Sequence, residues 1–345
     1  MKRLRVLMLC HEELVPPASI DGLSDEEISD FRTEFDVLTA VRDLGHECEP
    51  AGTPDDVEAL RTMLLDYRPD VCFNLLVEFH GAAHYDQHVA SYLELMRLDY
   101  TGCNPRGLTL ARDKALSKTV AAAAGVRVPA FQVFPAGRRI RRRADLEFPL
   151  FVKSLDEEAS LGISVRSIVH DDEQLAERVE YFHDEVGSAA IAEEYIEGRE
   201  LYVGLLGHER PKLFPAWELN IPNLPKGAPN IATRAVKWNV AHQRKIGVKN
   251  HRASGLPPTA ERELQRFSRR TYEALGLSGY ARLDFRLRPD GRVYLLEANP
   301  NPDLTYGEDF ADSAEAAGLS YEDLLQRILR LGQRYPAGWK TAAGV

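Results

Sequence analysis

Two short segments toward the C-terminal end carry the densest chemistry in the chain: Tyr280-Ala281-Arg282-Leu283-Asp284-Phe285 and Tyr294-Leu295-Leu296-Glu297-Ala298-Asn299. Strand side chains alternate faces, so Arg282 and Asp284 point one way while Leu283 and Phe285 point into a core. Glu297 and Asn299 share a face in the same way. Arg288-Pro289-Asp290-Gly291 between them is a turn by composition, which makes the segments antiparallel neighbours and brings Asp284 close to Glu297. Two carboxylates and an amide oxygen on one sheet face are hard ligands suited to Mg²⁺, an ion that keeps several waters and completes its shell with nucleotide phosphates. One feature disturbs the pattern: Val293 and Leu295 share parity with Glu297, so that face is not wholly polar. The competing reading of the same residues is a cross-strand ion pair, Arg282 or Arg286 with Glu297, on a solvated sheet.

The elements that must position this hairpin are legible along the chain. Leu4 to Leu9 and Val71 to Leu76 are apolar runs of strand length, separated by Val37, Leu38, Val41 and Leu44 at helical spacing with Gly45 as a stop. This grammar implies a parallel sheet with covering helices. Ser24-Asp25-Glu26-Glu27 reads as a capping box. After a turn-rich stretch at 100–105, a helix is expected over about 113–124. Extended segments follow at 130–134, 148–153, 189–196 and 200–206. The proline-rich stretch 221–229 is a loop, Thr259 is the expected cap of a helix, and Ser320 opens the last one. The expected organisation is an N-terminal α/β unit over 1–105, a central unit over 106–195, a C-terminal unit carrying the charged hairpin over 196–335, and a tail over 336–345.

Composition narrows the class. The 345 residues are 44% hydrophobic and 28% charged, which is globular rather than disordered, and no apolar run reaches the ~18 residues of a membrane span. The formal net charge of −10 argues against bulk binding to nucleic acid, and Arg138 to Arg143 reads as a solvated loop. Cys10, Cys48, Cys72 and Cys103 lie far apart, which indicates neither a zinc site nor a disulfide framework and fits a cytoplasmic protein. His80, His84 and His88 have a four-residue spacing that could mimic a metal face; His80 is read as a hydrogen-bonding residue on the substrate side and the others as ordinary histidines.

The hairpin resembles the metal-binding hairpin of the ATP-grasp superfamily, and the closest branch is the D-alanine–D-alanine ligase family. The resemblance extends to His80-Gly81, Tyr100-Thr101-Gly102, Asp113-Lys114 through Lys118, Phe148 to Lys153, and Ala317 to Tyr321. It implies an ATP-grasp fold (α/β, with α+β character in the C-terminal part) behind an N-terminal parallel-sheet domain. It also implies an ATP-dependent ligase that joins a small-molecule carboxylate to an amine through an acyl phosphate. The roles it implies are these. Lys118 and Lys153 reach the phosphates, with Lys237 as a third contact and Arg234 as a helper. Ser160-Leu161-Gly162 lay backbone N–H groups over the phosphates. Glu193, Glu194 and Ile196 border adenine, and Glu200 accepts from ribose. Two Mg²⁺ ions, or Mn²⁺ in their place, sit at Asp284, Glu297 and Asn299, and Arg282 steadies the oxyanion. The family also suggests a homodimer.

Departures from the family's pattern fall on the substrate side. Ala159 stands where a serine is usual and Trp238 where a tyrosine is usual. Pro300-Asn301-Pro302-Asp303 and Gly307-Glu308-Asp309-Phe310 replace a glycine and a Ser-Leu pair that grip the second amino acid's carboxylate. Asp303 and Glu308 are the substrate-side candidates, and an acid at Glu308 or Asp309 would repel such a carboxylate, which suggests a cationic or otherwise different amine. The glutamate that binds the first amino group is one of Glu12, Glu26 and Glu34. The rival function is a nucleotide-binding regulatory or scaffold protein that keeps the fold without turnover.

Overall fold

The apolar N-terminal run is the middle strand of a parallel sheet. In chain order the first part holds β1 (Arg5–His11), α1 (Asp25–Ser29), α2 (Arg32–Asp43), β2 (Glu47–Thr53), α3 (Val57–Tyr67), β3 (Val71–Asn74), α4 (Asp86–Leu95), α5 (Pro105–Arg112) and α6 (Lys114–Ala123). The computed structural model describes all of the chain except residues 1, 54, 157–160, 224–228, 232, 234–235, 237–245 and 343–345. The sheet order is β2-β1-β3, with Val6 paired to Cys48 on one side and Val71 on the other. Leu7, Leu9 and Cys72 face α3 and α4 through Leu60, Leu64 and Leu93, while Val6, Met8 and Phe73 face α2 through Val37 and Val41. A strand covered on both faces needs an unbroken apolar run, as parallel sheets do.

Local signals explain most of the boundaries. The capping box is present at Ser24: its hydroxyl accepts from the Glu27 N–H at 3.3 Å and its own N–H donates to Glu27 at 2.8 Å. The stretch after 105 holds two helices rather than the one expected. Asn104 caps α5 by accepting from the Gly107 N–H at 3.0 Å, and Asp113 caps α6 by accepting from Ala115 and Leu116 at 2.9 and 2.8 Å. Asp113 therefore lies between helices; its carboxylate competes for the N–H groups that would have continued the helix.

The middle part contains β4 (Phe131–Phe134), β5 (Leu150–Ser154), β6 (Ile168–Val169), α7 (Asp172–Tyr181) and β7 (Ala190–Glu194), an antiparallel sheet ordered β4-β7-β5-β6. Val152, Ala190 and Ala192 pack on Leu175, Val179 and Phe182.

The last part contains β8 (Arg199–Leu206), β9 (Lys212–Leu213), β10 (Trp217–Asn220), β11 (Lys249–Arg252), α8 (Pro258–Ala274), β12 (Tyr280–Leu287), β13 (Val293–Pro300), α9 (Asp309–Glu315), α10 (Tyr321–Arg334) and α11 (Gly338–Ala342). Its sheet runs β11-β10-β8-β12-β13, with β9 beside β8. Thr259 is inside α8 rather than its cap; the helix opens at Pro258, whose fixed φ and missing N–H suit a first turn. Ser320 caps α10 as expected, accepting from the Asp323 N–H at 3.2 Å. That helix returns to the start of the chain: Leu324, Leu325, Ile328 and Leu329 join the core formed by Val37, Val41, Val71 and Phe73. Each such buried side chain contributes about 1.5–3 kcal/mol relative to exposure. The turn at 100–105 is tied to the hairpin just as closely. A Cβ on Gly279 would lie 2.4 Å from the Gly102 carbonyl oxygen, so only glycine allows the approach.

Candidate active site

The register of the hairpin accounts for its chemistry. Arg282 lies opposite Asn299 and Asp284 opposite Glu297; Phe285 then pairs with Leu295, so Leu296 is an extra residue in β13. This β-bulge removes the parity conflict read in the sequence. On one side of it Val293 and Leu295 meet Leu287 and Phe285 in the core, and on the other Glu297 and Asn299 meet Asp284 and Arg282 on the polar face. The far edge of β12 pairs with β8, setting Arg282 against Gly204, Asp284 against Tyr202 and Arg286 against Glu200. The bulge also frees a carbonyl: Leu296 accepts from Lys118 Nζ at 2.5 Å.

Around that carbonyl, cations and acids from four elements converge. Lys118 of α6, 1% exposed, stands 2.9 Å from Glu193 Oε1 of β7; Lys153 of β5 stands 3.4 Å from the same oxygen and 3.9 Å from Glu297 Oε2 of β13. Lys114, one turn before Lys118, reaches Glu297 Oε1 at 3.3 Å. Burial lowers the Lys118 ammonium to about 8, against the pull of Glu193. The Lys153 ammonium is also desolvated, yet Glu193 and Glu297 hold it above its ordinary value. Two lysines buried beside one carboxylate make a site that accepts further negative charge with little reorganisation.

Arg282 is bound along both edges of its guanidinium. Nε and Nη2 donate to the two oxygens of Asp284 at 2.8 and 3.1 Å, and Nη1 donates to Asp309 at 3.1 Å. The group lies 4.8 Å over the ring of Tyr202. Burial opposes its charge, but Asp284 and Asp309 keep it charged well beyond the usual range. Arg286 turns instead to Glu200, at 2.7 Å, and Glu200 also accepts from the Tyr202 hydroxyl at 3.0 Å. The two arginines thus pair with Asp284, Asp309 and Glu200 on a buried face, Asp284 being 7% and Arg286 4% exposed, which is not the solvated sheet of the competing reading.

The donor set suits a magnesium ion in kind. Asp284 and Glu297 are directly opposite, Asn299 is the next residue on the same face, and the Asn299 Nδ2 is buried without a hydrogen-bond partner among the described residues. Among the described residues no three His, Cys, Asp or Glu side chains form a metal cluster, so the third ligand would be an amide.

The remaining sequence candidates separate into those near this centre and those away from it. Ile196 is buried at the end of the middle sheet, and Glu194 is half-exposed, 3.7 Å from Arg288. Gly162, at φ +73°, packs so closely on Phe182 that a Cβ would come within 2.8 Å of the ring, and its carbonyl accepts from Arg178. His80 is exposed in a turn whose N–H donates to Asp55 at 2.6 Å. Asp303 organises its own loop, accepting from the hydroxyls of Thr33 at 2.9 Å and Thr305 at 2.6 Å. Glu308 stands at an open rim, where packing and the neighbouring Asp303 and Asp309 raise its carboxyl to about 7. Of the N-terminal glutamates, Glu12 and Glu26 are exposed; Glu34 is buried, and desolvation, with Asp303 adding to it against the Glu34 N–H, raises it to about 7. Ser160, Lys237 and Arg234, with Ala159 and Trp238, lie outside the described residues.

Two contacts of the site were not anticipated in the sequence. Lys114 shares a helix face with Lys118 at i, i+4 spacing, a signal available from the start. The Asp309–Arg282 pair joins positions 27 apart in sequence and depends on a loop path that no periodicity discloses.

Comparison with known proteins defines the class. The family described as D-ala D-ala ligase C-terminus matches residues 120–330. A D-alanine–D-alanine ligase of Desulforudis audaxviator is 30% identical over 319 residues, which is 90% of this chain and 96% of that protein. An uncharacterized protein of Sinorhizobium fredii is also 30% identical, over 86% of both chains. The crystal structure of the D-alanine–D-alanine ligase from Bacillus anthracis complexed with ATP superposes with a TM-score of 0.74 at 23% identity, covering 96% of this chain and 98% of that one, a likeness of fold. The fold is therefore ATP-grasp. The chain belongs to the D-alanine–D-alanine ligase family, as the hairpin residues implied.

Proposed function

We propose that this chain is an ATP-dependent carboxylate–amine ligase that works through an acyl phosphate, with ATP held between the middle and C-terminal sheets. The observation that carries the reading is the meeting of Lys118 and Lys153 with Glu193 and Glu297 at the bulge. In that role the lysines bind phosphate oxygens, the backbone around Gly162 covers them, and Glu193, Glu194 and Ile196 border the base. Glu200, already held by Arg286 and Tyr202, presents a fixed carboxylate to the ribose. Asp284, Glu297 and Asn299 would hold magnesium, which supplies charge neutralisation for the transferring phosphoryl group. The substrate carboxylate attacks the γ-phosphorus and ADP leaves; the amine then attacks the acyl carbon, Arg282 steadies the oxyanion, and phosphate leaves.

The amine is proposed to differ from D-alanine. The loop and helix start after β13 gather Asp303, Glu308 and Asp309, and Arg282 is already matched by two acids, which disfavours a second carboxylate there and favours a neutral or cationic amine. Four buried, unpaired thiols accord with a reducing compartment, the cytoplasm. The test is ATP-dependent phosphate release across a panel of amino acids and amines, with D-alanine as both partners in one arm. Release with at least one pair supports the ligase; efficient D-alanyl-D-alanine formation overturns the altered amine. No release with any pair, despite bound Mg·ATP, returns the rival reading of a nucleotide-binding protein without turnover.

A further inference from the structure

We propose that Asp309 is a positioning residue for Arg282: it holds the guanidinium in place independently of Asp284. This inference rests on the ligase reading above. An arginine has five N–H donors in a fixed plane. Asp284 takes the edge formed by Nε and Nη2, at 2.8 and 3.1 Å, and Asp309 takes Nη1 at the other end, at 3.1 and 3.4 Å. The outward N–H groups of Nη1 and Nη2 are left for a reacting oxygen. Asp284 has a second claim on it as a candidate metal ligand, and a carboxylate given over to a cation is a poorer anchor for an arginine. Asp309 has no such claim, and its own position is rigid.

That rigidity comes from its neighbour. Asp309 is the first residue of α9 and is 9% exposed, and Phe310, 1% exposed, is wedged with ring centroids 5.4 Å from Phe214 and 5.8 Å from Tyr280. Gly204, opposite Arg282 in the sheet, leaves room for this ring: a Cβ there would come within 3.1 Å of Phe310. Tyr202 supports the guanidinium from below at 4.8 Å. Asp309 therefore fixes a plane that strand register alone would leave to one partner.

The test follows the Arg282 Nη–Hη signals, resolved only while rotation of the guanidinium is arrested, by low-temperature NMR in arginine-labelled protein, assigned with R282K. Without ligand, D309N and D284N each keep resolved signals, and the D284N/D309N double variant loses them. With Mg·ADP added, the wild type keeps the signals and D309N loses them, while D309E restores them. In the amine-dependent reaction D309N lowers kcat about 10- to 100-fold with the KM for ATP nearly unchanged. Signals that survive Mg·ADP in D309N, or vanish in D284N alone, overturn the positioning role and leave the ligase reading intact. If Mg·ADP perturbs no resonance of the wild type at all, the nucleotide site and this inference fail together.

Discussion

The charged centre at the bulge and the loop that follows β13 lie only a few residues apart in sequence, yet they are built differently. At the centre, Lys118 and Lys153 share the buried carboxylate of Glu193 while Lys114 reaches Glu297, and each of those side chains comes from a strand or a helix whose register fixes it. Around the loop, carboxylates crowd together: Asp36 of α2, Asp303, Glu308, and Asp309 and Asp312 of α9 are opposed by Arg32 and Arg282, and burial raises Asp36 and Asp312 as it does Glu34 of α2. Paired charge with an excess of lysine, held on regular elements, makes a preorganised site for an anionic ligand. An acidic excess around a loop is a surface that, on the proposed reading, disfavours a second carboxylate and favours a neutral or cationic amine.

The largest effects are expected at the centre. Glu297→Gln or Arg282→Ala lowers amine-dependent ADP release by about 10²–10³-fold, as loss of one preorganised electrostatic partner does, with the circular dichroism spectrum unchanged. Full turnover in both would dissolve the distinction between the two regions. Lys118→Met leaves Glu193 with Lys153 as its counter-charge and costs about 3 kcal/mol of stability, the lower end for a broken buried pair, read from urea midpoints. Leu325→Ala in α10, remote from both regions, costs about 2–5 kcal/mol by cavity formation and leaves the KM for ATP unchanged, which separates fold from site.

The loop region has a pH signature. Glu34 is raised from about 4.5 to about 7, so between those values the folded chain binds a proton that the unfolded chain has released. Its contribution is therefore fully present below pH 4.5 and is lost as the pH rises through 7. Glu34→Gln removes this dependence: the variant matches the wild type near pH 5 and is more stable at pH 8 by about 1–3 kcal/mol, measured by denaturant unfolding at both values. Equal stability difference at the two pH values would mean that Glu34 is not buried among acids.

The same division governs what could be read from the sequence. Asp284, Glu297, Asn299 and Arg282 were legible because a two-residue period and a Pro-Asp-Gly turn fix a hairpin, whereas Lys118 and Lys153 stood out only through the family resemblance, since a lysine in a helix or at a strand end is ordinarily solvated. The bulge at Leu296 was visible only as a parity conflict. Its cause is a register shift, which depends on the partner strand. The helix over 113–124 was legible, but α5 before it was missed because Asn104 and Pro105 read equally well as turn residues, and only the structure shows them as an N-cap and a first helical turn. Asp309 and Lys114 were not assigned their partners because the first depends on a loop path and the second on where the opposing strand ends.

Nucleotide binding at the bulge is the point on which the proposed ligase chemistry depends. The direct measurement is a crystal structure of the wild-type chain with ADP and Mg²⁺. The expected result is a diphosphate contacting Lys118 and Lys153, with magnesium on oxygens of Asp284, Glu297 and Asn299 and Arg282 still bound to Asp309. A nucleotide bound elsewhere, with Lys118 and Lys153 still closed on Glu193, would contradict it.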